Sequence, residues 1–383
     1  MIPIFLDVTR LLDRLGQQIL PTGVDRVGLL YIKHYAHRAR AVLSIRGFNV
    51  VLSAEHSAEA FELLLKQHSS KPAGIKSLLV RAICGALRHE IFNGGVLLHT
   101  SHSGLEYGRY FKSLKRRNIH TVFMLHDLIP VTHAEYCRPG VREVHLERMR
   151  VALGHAAGIV ANSQDTLDSL VQQARHNGWS VPGAVVARLA SGISGVAGEC
   201  LLAQPYFVML GTIEPRKNHW LLLHVWRRLV EVMGQRAPVL VVIGRRGWEC
   251  ENVIDMLERC APLRGKVIEE ANCSDERLCT YLNHARALLF PSFVEGYGMP
   301  LAEALAMRVP VIASDLAAFR EIAGEIPEYL DPLDGLGWMT RVMEYATEES
   351  PQRAAQIERI EGFREPTWEQ HFSAVDRFIE ELM

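Results

Sequence analysis

Two hydrophobic periods alternate along this chain. Short apolar runs of strand character, IPIFLDV, AVLSIRG, GVLLHTS, HTVFMLHDL and GIVANS, recur through the first half. Between them lie stretches with apolar residues at helical spacing, such as VDRVGLLYIKHYAHRA and GVREVHLERMRVALGHA. Past residue 200 the alternation restarts with YFVMLGT, PVLVVIG, KVIEE, RALLFPS and PVIASD. Near-continuous apolar strands separated by amphipathic helices predict parallel sheets covered on both faces, because each parallel connection needs a crossover. The restart predicts two Rossmann-like α/β domains, joined in the Gly-rich stretch SGISGVAGECLLAQ (Ser191–Gln204). The terminal PTWEQHFSAVDRFIEEL sets Trp368, Phe372, Val375 and Phe378 at helical spacing, so that helix must pack on something.

One junction combines this pattern with chemistry. ARALLFPS (Ala285–Ser292) reads as a buried strand and PLAEALAM (Pro300–Met307) as a helix with proline in its first turn, joined by a loop with Gly296 and Gly298. A glycine loop opening a helix presents free N–H groups and the positive end of the helix dipole, which suits a phosphate. The segment Glu295 to Glu303 places two carboxylates across that junction. Glu303 is expected in the first helical turn, where it can accept from ribose hydroxyls, and Glu295 on the loop can do the same for a sugar ring. A loop carboxylate and a first-turn acid that only complements the dipole are the plainer alternative.

The stretch EGYGMPLAEALAMRVPVIASDLAAFREIAG resembles the signature of the family 4 retaining glycosyltransferases, in which two glutamates are separated by seven residues. GTIEPRKNHWLLLHVW (Gly211–Trp226) is similar to that family's diphosphate-binding segment, and HDL at His126–Leu128 with ANSQDT (Ala161–Thr166) matches its N-terminal pattern. The order and separation of these motifs, spread over nearly the whole chain, carry the resemblance. It implies the GT-B fold, two Rossmann-like doubly wound domains facing across a cleft. The expected division is an acceptor-binding domain over residues 1–198, a donor-binding domain over 199–366, and a last helix, about 367–383, that returns to the first domain.

The resemblance also assigns roles. His126, Glu295, Arg216 and Lys217 are the expected catalytic set. Gly23, Gly211, Thr212, Gly296, Tyr297, Gly298, Met299, Pro300, Leu301, Glu303 and Glu321 join Arg216 and Lys217 as the expected donor-binding set. Arg grips phosphate oxygens in a fork and Lys adds a point charge, so this pair is expected to meet the charge on a departing diphosphate. No convincing Asp-x-Asp metal motif is present, and no metal or other cofactor is expected; the nearest acidic cluster is Asp331 to Asp334. Retaining transfer in this family is understood as same-face attack, with the departing phosphate taking the acceptor's proton, which makes His126 a neighbour of the sugar rather than a general base. Gly23, in PTGVDRVGLL, stands where relatives carry a glycine-rich loop, and an ordinary helix start accounts for it equally well. Ser163 is expected to cap a helix. Two further readings remain open: a sugar-nucleotide epimerase or hydrolase on the same frame, and a non-catalytic nucleotide-sugar or glycan-binding subunit. A dehydrogenase is disfavoured, since no G-x-G-x-x-G follows an early strand.

Composition refines the partners. With 383 residues and 48% hydrophobic content the chain can bury two cores. Its net charge of −1 hides an asymmetry: residues 1–200 carry 23 Lys and Arg against 15 Asp and Glu, and residues 201–383 carry 19 against 28. The basic half, with KSLKRRN at 112–118 and the stretch 77–92 containing Arg81 and Arg88 after Lys71 and Lys76, admits peripheral contact with anionic lipid. Nucleic acid is disfavoured by the neutral total and the lack of aromatics among the basic residues. Seven cysteines without a CxxC pair fit free thiols, Asp7 interrupts any apolar signal core, and no run reaches the ~20 apolar residues of a membrane span. The expected setting is cytoplasmic, with a nucleotide diphosphate sugar as donor, GDP-mannose first, and a saccharide or lipid-linked saccharide as acceptor in cell-surface polysaccharide synthesis.

Overall fold

The structure, a computed structural model, describes residues 2–19, 21–66, 92–193 and 195–383. Residues 67–91, which hold Lys71, Lys76, Arg81, Cys84, Arg88 and all but the last residue of the stretch 77–92, lie outside the described residues. The chain divides into two compact units. Unit 1 comprises Met1–Val131, Arg142–Arg188 and Glu369–Met383, and unit 2 comprises Thr132–Val141 and Leu189–Trp368.

In unit 1 the strands are β1 (Ile4–Asp7), β2 (Ala39–Ile45), β3 (Phe48–Val51), β4 (Gly95–His99), β5 (Ile119–Leu125), β6 (Ala156–Ala161) and β7 (Gly183–Val186). They form one sheet in the order β3-β2-β1-β4-β5-β6-β7, parallel except for β3. Unit 2 has β8 (Tyr206–Leu210), β9 (Val239–Ile243), β10 (Val267–Glu270), β11 (Leu288–Phe290), β12 (Val311–Ser314) and β13 (Glu328–Leu330), in the all-parallel order β10-β9-β8-β11-β12-β13. Strand order therefore reverses between β1 and β4 in one sheet and between β8 and β11 in the other. At such a switch point the loops leaving the carboxyl ends of the two strands diverge and open a crevice, where open α/β sheets bind ligands.

Ten strands follow the expected apolar runs; β3, β7 and β13 do not. These three lie at sheet edges and are mostly half-buried, so they lack the continuous apolar run of a central strand. A tight hairpin joins β3 to β2, with Arg46 and Gly47 both at positive φ, the backbone a two-residue turn requires. The expected helix reaching Ala39 stops at Tyr35, because Ala39 already pairs with Ile4 in the sheet.

The last helix, Trp368–Leu382, belongs to unit 1 from Glu369 onward. His371 receives the Tyr31 hydroxyl at 2.9 Å, Phe372 stacks on His34 at 3.9 Å, and Asp376 accepts from Tyr35 and Arg38 at 3.0 and 2.8 Å. Phe378 rests on Gly158, where any Cβ would stand 2.6 Å from the ring. Apart from the excursion at Thr132–Val141, the chain passes from unit 1 to unit 2 at Arg188/Leu189, ten residues before the expected 198/199. Within unit 2 the reason is polar: Ser191 N–H donates to Glu365 at 2.9 Å, Gly192 N–H to Glu303 at 3.1 Å, and the Trp368 indole to Ser191 O at 2.9 Å. Thr132–Val141 joins unit 2 through Tyr136, which stacks on Phe293 at 5.3 Å and accepts from the Trp248 indole at 3.2 Å.

Among the described residues the six cysteines are free thiols, and no helix is long and apolar enough to cross a membrane.

Candidate functional site

The loops that leave β8 and β11 stand on either side of the unit 2 switch point. After β8 the chain passes Gly211 and Thr212 and makes a 3-10 turn at Pro215–Lys217 before the helix His219–Met233. Gly211 has φ +145, and a Cβ there would stand 3.2 Å from the Lys217 side chain. Gly244, after β9, passes so close to Gly211 that its Cβ would lie 1.9 Å from the Gly211 carbonyl oxygen. Two glycines thus let neighbouring strand ends approach and leave Lys217 room to extend. After β11 the segment Pro291–Gly298 leads into the helix Met299–Ala306, and Phe293 N–H donates to Arg216 O at 2.8 Å, tying the two loops together.

This tie brings four ionisable side chains into one network. Arg216 Nε lies 2.6 Å from Glu214 and Arg216 Nη1 lies 2.7 Å from Glu295. Lys217 Nζ donates to Glu295 at 2.5 Å, and the Ser292 hydroxyl donates to the same carboxylate oxygen at 2.7 Å. Lys217 also lies over the Phe290 ring, 4.9 Å from its centroid. Two cations balance two anions. Burial alone would raise the Glu295 carboxyl, but the Arg216 and Lys217 charges overcome it and hold it at about 2. Glu214 is shifted the other way: its burial outweighs the same two cations. Burial also lowers the Lys217 pKa, against the pull of Glu295. Glu295 is therefore ionised at neutral pH and has no proton to donate.

The helix that follows corrects one expectation. Gly298, at φ +106, is its cap, Met299 is its first residue and Pro300 its second. Glu303 is the fifth residue, beyond the first turn, because the glycine cap starts the helix at Met299. Its carboxylate is buried and accepts the Gly192 N–H. Leu301 is fully buried, so only its backbone is available to a ligand. The Tyr297 hydroxyl donates to Leu189 O. Gly296 lies between Glu295 and Tyr297 on the same loop, and Glu321 is half-buried on the short helix Ala317–Ala323.

In unit 1, His126 follows β5 and is buried. Its Nε2 lies 2.8 Å from the Thr100 carbonyl oxygen; that oxygen only accepts, so Nε2 carries the hydrogen. Burial, the largest influence, lowers the pKa of His126, so at neutral pH the ring is neutral with its lone pair on Nδ1. Gly23 is the first residue of the helix Gly23–Tyr35 and not part of a glycine-rich loop. Thr22 caps that helix in a capping box with Asp25, which also binds Arg10 and Arg14 at 2.8 Å each. Ser163 accepts Thr166 N–H at 3.0 Å and caps its helix as expected.

Sequence reasoning assigned no role to Glu214, Ser292, Gly244 or His219. Glu214 stands inside the quoted GTIEPRKN, so an acid beside an Arg-Lys pair was the available signal. Gly244 had one too, a glycine closing the strand PVLVVIG. His219 is buried with both ring nitrogens lacking a hydrogen-bond partner, and burial lowers its pKa to about 3. Nothing in the sequence distinguishes it from a solvated helix-start residue. Among the described residues no group of three His, Cys, Asp or Glu side chains is arranged to hold a metal ion.

Residues 202–326 match the family described as glycosyl transferases group 1. The chain is 27% identical over 249 residues to the serotype-specific mannosyltransferase WbdA of Escherichia coli, a match covering 59% of this chain and 30% of that protein. The chain thus spans less than a third of that relative's length. It is 27% identical over 265 residues to the O-antigen chain mannosyltransferase B of Escherichia coli, covering 67% of this chain and 69% of the relative. Among solved structures, Anabaena HepE in complex with UDP and glucose superposes with a TM-score of 0.64 at 15% identity, covering 100% of this chain and 97% of that one. Residues 202–326, which carry β8 to β12, therefore match the glycosyl transferases group 1 family, and the two Rossmann-like units have the GT-B fold.

Proposed function

We infer that this chain transfers a hexose, mannose first, from a nucleotide diphosphate sugar to a saccharide or lipid-linked saccharide acceptor in cell-surface polysaccharide synthesis, with retention of configuration. The observation that carries this reading is the neutral Arg216–Glu214–Lys217–Glu295 network at the unit 2 switch point. A diphosphate arriving there meets two cations already oriented by carboxylates, with Lys217 desolvated so that its charge acts at short range. The opening amides of the helix Met299–Ala306 add the positive end of a helix dipole, as a departing diphosphate requires. The reading needs no metal for that charge, and added chelator should leave the rate unchanged.

Glu295, permanently ionised, is suited to accept hydrogen bonds from sugar hydroxyls, and Glu303 from a ribose. Neither is placed as a general acid. The acceptor's proton then goes to the departing phosphate, and the Nδ1 lone pair of His126 accepts from a hydroxyl of the reacting sugar. For the acceptor, unit 1 offers a cavity of about 340 Å³ lined by Asp7, Arg10, Asp13, Arg14, Tyr107 and Tyr110, a mixture of charged and aromatic groups suited to a polyhydroxyl ligand. Mannose stands first because both Escherichia coli relatives are described as mannosyltransferases. A cytoplasmic setting with peripheral membrane contact fits the basic first half.

A panel of nucleotide sugars assayed for released nucleotide diphosphate tests the proposal. One diphosphate sugar should turn over only when an acceptor is present, and Lys217→Ala should lower kcat by about 10²- to 10³-fold while the protein stays folded. Near-normal transfer by that variant refutes the site, and release without acceptor points to a hydrolase.

A further inference from the structure

His126 is held by more than its own ring. Its backbone N–H donates to Nε2 of His102 at 3.2 Å, and its carbonyl accepts from the Asn162 amide at 2.8 Å. The two holding side chains come from separate elements, since His102 follows β4 and Asn162 follows β6, and His145 on the helix Val141–His155 packs beside His102. With Thr100 O on Nε2, every polar atom of His126 except Nδ1 is engaged by a neighbouring strand end or helix.

The geometry points to His102 and Asn162 as a clamp on the turn at His126, in which His102 is a positioning residue that presents the Nδ1 lone pair of His126 to the reactant.

The clamp works only with a neutral His102. To accept the His126 N–H, its Nε2 must carry no hydrogen, which places the hydrogen of the neutral ring on Nδ1. A protonated ring would set N–H against N–H and release the turn. The surroundings favour the neutral form. Desolvation comes first, and the positive charge of Arg148 acts in the same direction, so its pKa lies well below the usual value. Arg148 itself is paired with Glu106 at 2.8 Å. The rings of His126 and His145 pack against His102 at centroid distances of 5.5 and 5.1 Å, so the imidazole is confined as well as bonded. A leucine of similar volume would fill this space and leave the His126 N–H unmet in a buried position, which is why an imidazole at 102 has a use that apolar packing does not supply.

The catalytic consequence rests on the transfer proposed above, whereas the clamp does not, so the test has two arms. Nitrogen-15 shifts of the His126 imidazole, measured without any substrate, should show a single Nε2–H tautomer in the wild type and in His102→Gln, whose side-chain oxygen can replace the acceptor. His102→Leu should show a mixed population. In turnover, His102→Leu should lower kcat by about 100-fold, the scale of a misplacement near 1 Å, with the donor KM within about twofold, and His102→Gln should restore most of kcat. Asn162→Ser withdraws the other arm and is read in the same way, so a His102→Leu chain that fails to fold does not shelter the proposal. A pure Nε2–H tautomer in both disabling variants, or wild-type kcat in either, overturns it. A wild type that turns over no donor sinks the transfer reading instead, and the tautomer measurement then decides the clamp alone.

Discussion

Glu295→Gln removes one charge from a network whose balance the structure makes explicit. The carboxyl is held at about 2 against an ordinary value of 4.5, a difference worth about 3 kcal/mol at neutral pH by proton linkage. The group is almost wholly buried, so solvent screening discounts little of this. The same figure follows from the other side: breaking one partner of a buried ion pair costs roughly 3–5 kcal/mol, because Lys217 and Arg216 keep their charges with only Glu214 to answer them. The glutamine can still accept from Lys217 through its carbonyl, but its NH₂ then faces the Arg216 guanidinium, donor against donor.

A domain the size of unit 2 loses roughly 2–4 °C of Tm per kcal/mol, so calorimetry at pH 7 should show its transition lowered by roughly 6–12 °C. The sign with pH is definite. The folded pKa is depressed, so the contribution is complete above about pH 4.5 and is lost as pH falls toward 2. The gap between wild type and variant should shrink to about 1 kcal/mol at pH 3. A gap below 1 kcal/mol at pH 7, or one that does not change between pH 7 and 3, would refute the assignment of Glu295 as a buried, ion-paired carboxylate.

Other perturbations probe separate elements. Gly298→Ala puts a Cβ at φ +106 and 2.6 Å from the Phe319 ring, so chemical denaturation should show a loss of about 1–3 kcal/mol; an unchanged midpoint argues against this helix cap. His371 is buried with its pKa lowered to about 4, desolvation being the main cause. The unfolded chain binds that proton first, so stability falls as pH drops from 6.5 toward 4, and His371→Gln should remove about 3 kcal/mol of the acid loss; a parallel pH curve for the variant counts against it. Phe378→Ala should cost about 3–5 kcal/mol by emptying the contact over Gly158 and should loosen the last helix, read as faster amide exchange across residues 369–382; wild-type protection there contradicts the docking.

Much of the frame is legible because it is local. Ten strands are apolar runs bounded by turn residues, and the two glutamates, the Arg-Lys pair and the His-Asp pair each sit just beyond such a run, where the carboxyl edge of a parallel sheet must be. What failed is informative. Edge strands β3, β7 and β13 carry no continuous apolar run because an edge buries little. Glu303 was expected in the first turn because Pro300 was read as the start of the helix; the positive φ of Gly298 moves the start to Met299 and the glutamate to the fifth position. The unit boundary was sought in the stretch Ser191–Gln204, yet backbone hydrogen bonds from Ser191 and Gly192 to Glu365 and Glu303 draw that segment into unit 2.

By itself the sequence determined the architecture and the kinds of chemistry available, since both depend on short-range pattern: the period of apolar residues, a glycine before a helix, a carboxylate eight residues from another. Tertiary structure alone decided how those groups are charged. Lys217 and Glu295 are 78 residues apart in the chain and 2.5 Å apart in space, because β8 and β11 are neighbours in the sheet. Only that proximity turns two expected phosphate-binding cations and a sugar-binding acid into a neutral, ion-paired network. His102 shows the same limit: no spacing reveals that its imidazole accepts the backbone N–H of His126, since the contact spans strands β4 and β5 and its consequence lies in which nitrogen bears the proton.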